Sequence, residues 1–193
     1  GLASAATGRR QSSPIHAGKC RKIEGLMHMD DAGNIAEHSL NSEELANLIR
    51  ATIAEGNTIC FNALGRSMSP FIQSGDKIFV APITKERIRI GDVLAFVHPE
   101  DGRVLAHRVV QLSEGRFFCK GDNVTGGGDG WISFEDVLGR VVRVQRDGRE
   151  IHLGLGAERR LIALLSRWKM LVPIVNFLRQ IKWGVKRLIS GRN

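Results

Sequence analysis

The residues of this chain whose types allow chemistry are a serine at a strand-to-turn junction, a histidine in an apolar strand and two aspartates in a glycine-rich loop. Gly65-Arg66-Ser67-Met68-Ser69-Pro70 follows a β-prone apolar run. Ser67 can therefore project its hydroxyl into a cleft while adjacent backbone N–H groups face a developing oxyanion. Met68 serves as an apolar anchor and Pro70 stiffens the turn, and Gly65, Arg66 and Met68 are candidate substrate-binding residues. Serine before a turn is, equally, an ordinary turn residue. In the strand around Ala106-His107-Arg108-Val109, the side chains of Leu105, His107 and Val109 share one face, which sets His107 in an apolar row. Such a histidine is either a satisfied core residue or a neutral base suited to a hydroxyl nucleophile. Lys120-Gly121-Asp122-Asn123, and then Asp129, occupy the loop after a further strand. Either carboxylate can hold the second ring N–H of His107, and either can be a plain turn residue. Ser67, His107, Asp122 and Asp129 are thus candidate catalytic residues for acyl transfer. Their order along the chain differs from the common triad orders, but roles and not order define such an arrangement.

That chemistry needs a fold that returns a distant strand to the serine. Residues 41–56 read as a helix: Asn41 caps it, Glu44 completes a capping box, Leu45, Leu48, Ile49 and Ile53 share a face, and Gly56 ends it. From Asn57 the period becomes strand-like. Segments 58–64, 77–80, 93–98, 103–112, 116–120, 139–146 and 150–153 are short and rich in Val, Ile and Phe, and the turns Asp101-Gly102 and Asp147-Gly148 separate two pairs of them as hairpins. The expectation is a mainly β domain of antiparallel strands, without the helix alternation of a nucleotide-binding fold. The run Gly126-Gly127-Gly128 lacks the preceding strand and following helix of a phosphate loop.

The resulting division is a flexible extension over 1–40, a β domain with its leading helix over 41–154 and a basic amphipathic tail over 155–193. The tail carries nine Lys/Arg against the single acid Glu158, a surplus equal to the +8 of the whole 193-residue chain. The rest is neutral overall, unlike a domain built to follow a phosphate backbone, so a nucleic-acid partner is not expected. In 159–189, Leu161, Leu165, Trp168, Val172, Val175, Leu178, Ile181, Val185 and Leu188 recur at helical spacing, with Pro173 expected to kink or divide the helix. Two readings stand: the tail lies on an anionic membrane surface, or it covers the apolar face of the β domain or of a protein partner. No stretch is long and apolar enough for a transmembrane segment, so the expected location is cytoplasmic or peripherally membrane-associated. Cys20, Cys60 and Cys119 are odd in number and widely spaced, which argues against a disulfide and mildly for a reducing compartment. His16, Cys20, His28 and His38 match no common zinc spacing. No metal or organic cofactor is expected.

Taken together, Ser67-Met68-x-Pro70, Gly75-Asp76, Gly91-Asp92-Val93, His107-Arg108-Val109 and Lys120-Gly121-Asp122-Asn123 resemble, in order and spacing, the boxes of the type I signal peptidase superfamily. That superfamily also includes self-cleaving repressors. The likeness runs from about residue 58 to 144. With histidine at the base position, the chain resembles the serine-histidine branch found in archaea and the endoplasmic reticulum. The resemblance implies a coiled antiparallel β domain, Ser67 as nucleophile, His107 as base, Asp122 and Asp129 as supporting carboxylates, and structural turns at Asp76 and Asp92. Two features depart from it: a soluble helix, in place of a membrane anchor, precedes the serine, and Gly65 stands where many relatives have a hydroxyl residue. The implied activity is that of a serine endopeptidase acting on a leader peptide or protein inside the cell. A self-cleaving regulator is an alternative, with Ala17-Gly18 and Ala32-Gly33 as candidate bonds, although such proteins use a lysine base and residues 1–40 show no helix-turn-helix. A catalytically inactive scaffold that binds a partner through its C-terminal helices is another.

Overall fold

The computed structural model describes Arg21–Lys22, residues 41–177 and residue 180. The leading helix α1 spans Ser42–Ala54, and its start has the expected chemistry. Asn41 Oδ1 accepts from the Glu44 N–H at 2.9 Å, and Glu44 Oε2 accepts from the Asn41 N–H at 3.0 Å. Two of the donors that a helix start leaves unpaired are thereby satisfied. Leu45, Ala46, Ile49 and Thr52 form its buried face.

The strands are β1 (Arg21–Lys22), β2 (Ile59–Asn62), β3 (Lys77–Ala81), β4 (Val93–Val97), β5 (Val104–Ser113), β6 (Arg116–Lys120), β7 (Trp131–Ile132), β8 (Val137–Arg146) and β9 (Arg149–Ile151). They form one sheet in the order β1-β2-β3-β8-β4-β5-β6-β7, with β9 on β8. Every described pairing is antiparallel except β1 with β2. The result is a mixed α/β fold: a multi-stranded antiparallel sheet with a helix before it and two helical segments after it. β4 and β5 are joined through the Asp101-Gly102 turn, and β8 and β9 through Asp147-Gly148, whose residues both take positive φ as a tight hairpin requires. A third such turn, Glu114-Gly115, joins β5 to β6.

The sheet separates two apolar clusters. Leu45 and Ile49 of α1 join Ile59, Phe61, Met68, Ile78, Val80, Val93, Val141 and Val144 in the larger one. Leu94, Phe96, Val109, Phe117, Cys119 and Ile132 form the other. The expected strands match to within about two residues at their ends, whereas β1 and β7, two residues each, carry too little pattern to read. Arg21–Lys22 pairs with Ile59 and Cys60, so the segment expected to be a flexible extension contributes a strand to the sheet. The remaining residues of 1–40, including the His16, Cys20, His28 and His38 set and the Ala17-Gly18 and Ala32-Gly33 bonds, lie outside the described residues.

Two expectations are corrected. Cys60 is disulfide-bonded, while Cys119 is free and buried. Wide sequence spacing does not reveal which thiols the fold brings together. At the C-terminus, α2 spans Arg159–Arg167 and ends over 168–170, where Lys169 takes φ +59°. Helix resumes over 171–177, so Pro173 sits in a first turn, where its missing N–H costs nothing. The buried face of these segments is Ile162, Ala163, Ser166 and Leu171, with Ile162 and Leu171 packed on Phe71. Leu161 and Trp168, expected in the apolar row, face solvent. No described helix is long and apolar enough to cross a membrane.

Candidate active site

Ser67 follows the end of β2 and opens a compact turn. Ser69 N–H donates to Arg66 O at 3.1 Å, and the N–H groups of Phe71 and Ile72 both donate to Met68 O at 3.1 Å. Met68 is buried among Leu45, Phe61, Ile72 and Ile78, which anchors the turn in the larger core. The Ser69-Pro70 peptide bond is cis. The loop after β6 holds Ser67 from the other side, where Asn123 N–H donates to Ser67 O at 2.7 Å. Gly121 must be glycine there, because a Cβ would come within 2.8 Å of Ser67 O and 3.0 Å of Ser67 Cβ. Such contacts are too close for any real side chain.

His107 lies on β5, facing the second apolar cluster, with the Phe96 ring in edge contact at 6.3 Å. Its Nε2 is 2.7 Å from Ser67 Oγ and its Nδ1 is 2.6 Å from Asp129 Oδ2. An ionised carboxylate only accepts, so Nδ1 carries the proton and donates to Asp129. In the neutral ring Nε2 is then free to accept from the Ser67 hydroxyl. The whole relay is sheltered, with His107 7% and Asp129 16% exposed at the side chain. Asp129 reaches this position because its N–H donates to Cys119 O at 2.9 Å, continuing the edge of β6. Gly128 makes that approach possible, since a Cβ on it would lie 2.4 Å from Cys119 O. Burial, reinforced by the Asp129 charge, pushes the Cys119 thiol far above its ordinary range, so it stays protonated and inert.

Of the two carboxylates that the sequence leaves open, Asp129 is the one on the histidine. Asp122 instead forms a fork with Arg108, with Nε to Oδ1 at 2.8 Å and Nη2 to Oδ2 at 2.7 Å, both side chains 0% exposed. Arg108 Nη1 also donates to Gly91 O and Gly154 O at 2.8 Å each. In this network the buried guanidinium and carboxylate meet at hydrogen-bonding distance, the condition under which burying charge is tolerable. Sequence reading missed it, although an arginine inside an apolar strand, followed by an aspartate at the end of the neighbouring strand, was the available signal. Lys120, opposite Arg108 in the β5–β6 register, donates from Nζ to Ser166 O at 3.0 Å. Asp76 and Asp92 serve their own turns: Gln73 N–H donates to Asp76 at 2.7 Å and Arg89 N–H to Asp92 at 2.9 Å. Arg146 pairs with Asp76 through two 2.7 Å bonds.

Ser67 and His107 border a cavity of about 100 Å³ lined by Leu45, Phe61, Ala63, Met68, Val104 and Ala106, among others. Its apolar lining suits an apolar side chain. Gly65 contributes to this lining and also to that of a neighbouring polar cavity with Arg66, Ser69, Gln73, Ser74 and Asn123. Met68 is thus core and cavity wall at once, whereas Arg66 is exposed at the rim. Among the described backbone hydrogen bonds, none uses the N–H of Ser67 or of Met68. No group of three or more His, Cys, Asp or Glu suited to a metal ion occurs among the described residues.

No family model matches the chain, and no curated protein matches it.

Proposed function

We propose that this chain is a serine endopeptidase of the signal-peptidase-like, serine-histidine kind, cutting a peptide or protein chain by acyl transfer. The carrying observation is the unbroken relay from Asp129 through His107 to Ser67, at 2.6 and 2.7 Å, ending beside an apolar cavity. In this reading His107 Nε2 takes the Ser67 proton as Oγ attacks the scissile carbonyl, and Asp129 stabilises the imidazolium that forms. The N–H groups of Ser67 and Met68, which no described backbone hydrogen bond uses, would receive the oxyanion without help from Gly65, which has no side chain. The imidazolium then protonates the departing amine, and water, deprotonated by the same histidine, releases the acyl group. The cavity suits an apolar side chain on the acyl side of the cut bond.

A lysine-based, repressor-like mechanism has less support. Lys120 pairs with Arg108 on the face of β5 and β6 opposite His107, and its ammonium is bonded to Ser166 O. The test is proteolysis of a peptide library prepared from a cell lysate. The full chain is expected to generate new peptide termini that Ser67→Ala and His107→Ala do not. The same termini from all three proteins would refute the assignment.

A further inference from the structure

The large apolar side chains left in solvent are unevenly placed. Among the described residues, Leu153, Leu161, Leu164, Trp168, Met170 and Phe177 are exposed within one 25-residue stretch, against four such side chains in the rest of the described chain. On α2 this exposure is a face and not a scatter. Ile162, Ala163 and Ser166 point to the protein, whereas Leu161 (58% exposed), Leu164 (41%) and Trp168 (64%) fall together on the opposite side. Arg160 and Arg167, one helical face along from Leu164, border them, and Lys169 follows.

The charge of this face is of one sign. The only acid between residues 155 and 177 is Glu158. Its carboxylate is engaged by the preceding loop, with Oε1 accepting from the N–H groups of Gly154 at 2.6 Å and Gly156 at 3.1 Å. A groove built for a protein helix needs depth and, commonly, charges of both signs. This surface is the outer side of a helix, apolar at its centre with an indole among the aliphatics, and bordered by Arg160, Arg167 and Lys169. Those are the properties that seat a helix at the headgroup level of an anionic bilayer.

We infer that the outer face of α2 and the segment following it dock this protein peripherally on anionic lipid, with Leu161, Leu164, Trp168 and Phe177 entering the interface and Arg160, Arg167 and Lys169 contacting lipid phosphates. The inference is independent of the chemistry at Ser67. It also fixes an orientation, because α2 is tied to the strands of the site: Lys120 holds Ser166 O, and Arg108 holds Gly154 O.

The test is flotation of the full chain with vesicles of phosphatidylcholine alone and of phosphatidylcholine with about a third phosphatidylglycerol, using wild type and the triple variant Leu164→Ser/Trp168→Ser/Phe177→Ser. Wild type is expected to float with the anionic vesicles, with Trp fluorescence shifted to the blue. The variant is expected to lose on the order of tenfold or more in partitioning. Because all three positions are exposed, the variant should melt like wild type, which separates lost docking from lost folding. The inference is overturned by absence of wild-type flotation, by equal flotation of wild type and variant, or by binding indifferent to phosphatidylglycerol and to salt. A wild-type dimer in solution that the variant dissolves, without flotation, would overturn it in favour of a second copy as the occupant.

Discussion

Two polar clusters grow from the same two strands and from adjacent residues. On one face of β5 and β6, His107 joins Ser67 to Asp129; on the other, Arg108 meets Asp122 beside Lys120. Both contain a buried basic residue with a carboxylate partner, yet they differ in one respect. The Arg108 cluster is closed, with side chains 0% exposed and its guanidinium bonded to a carboxylate and two carbonyls. The His107 cluster ends on a hydroxyl that opens into a cavity. A buried charge whose partners are all supplied by the protein can only hold the fold together, whereas a relay with a neutral, transferable proton at its open end can do chemistry. The two are joined mechanically through Gly121 and Asn123, which press on Ser67 from the loop that Asp122 anchors.

Substitution can break that comparison cluster by cluster. The largest effect is expected from Ser67→Ala, which should lower peptide cleavage by about 10⁶-fold while leaving the melting temperature unchanged. Next comes Asp129→Asn. It keeps the shape but favours the wrong histidine tautomer, so kcat should fall on the order of 10⁴-fold with little loss of stability. If Asp129→Asn cleaved as well as wild type, the carboxylate would be a bystander. Asp122→Ala should behave in the opposite way. By stranding the Arg108 charge it should lower unfolding free energy by about 3–5 kcal/mol in urea titrations, whereas the double variant Arg108→Met/Asp122→Leu recovers much of that loss.

Smaller effects sharpen the link between the clusters. Gly121→Ala must push the loop off Ser67, and a displacement of that kind should lower kcat on the order of 10²-fold, more than it lowers stability. Finally, burial, with Lys169 nearby, holds the Lys120 ammonium below the ordinary lysine range. Between that lowered value and the ordinary one near 10.4, the unfolded chain binds more protons than the native one, so the contribution of this group to stability rises with pH across that window. Lys120→Met should abolish that rise, measured as the difference between the two pH–stability curves in alkaline buffer.

How much of this was legible follows from the range of the interactions. The helix start at Asn41, the hairpins at Asp101-Gly102 and Asp147-Gly148 and the apolar row around His107 depend on neighbours a few residues away, so local pattern carries them. The ends of β1 and β7 and the break at 168–170 do not, because two-residue strands and a left-handed lysine are set by what packs against them. Which face of α2 is buried was misread for a related reason. The helix is apolar on more than one side, and only the position of Phe71 selects Ile162 and Leu171 over Leu161 and Trp168.

By itself the amino-acid sequence determined that a serine, a histidine and two aspartates stand in a sheet-forming chain, and that the positive charge gathers at its end. Tertiary structure decided the allocation. It gave Asp129 to His107 and Asp122 to Arg108, placed Lys120 away from the hydroxyl, and left one side of α2 in solvent. The physical reason is that alternation along a strand says which residues share a face, but only the register between β5 and β6, and the path of the glycine loop that follows, bring a given carboxylate within 2.6 Å of a given ring.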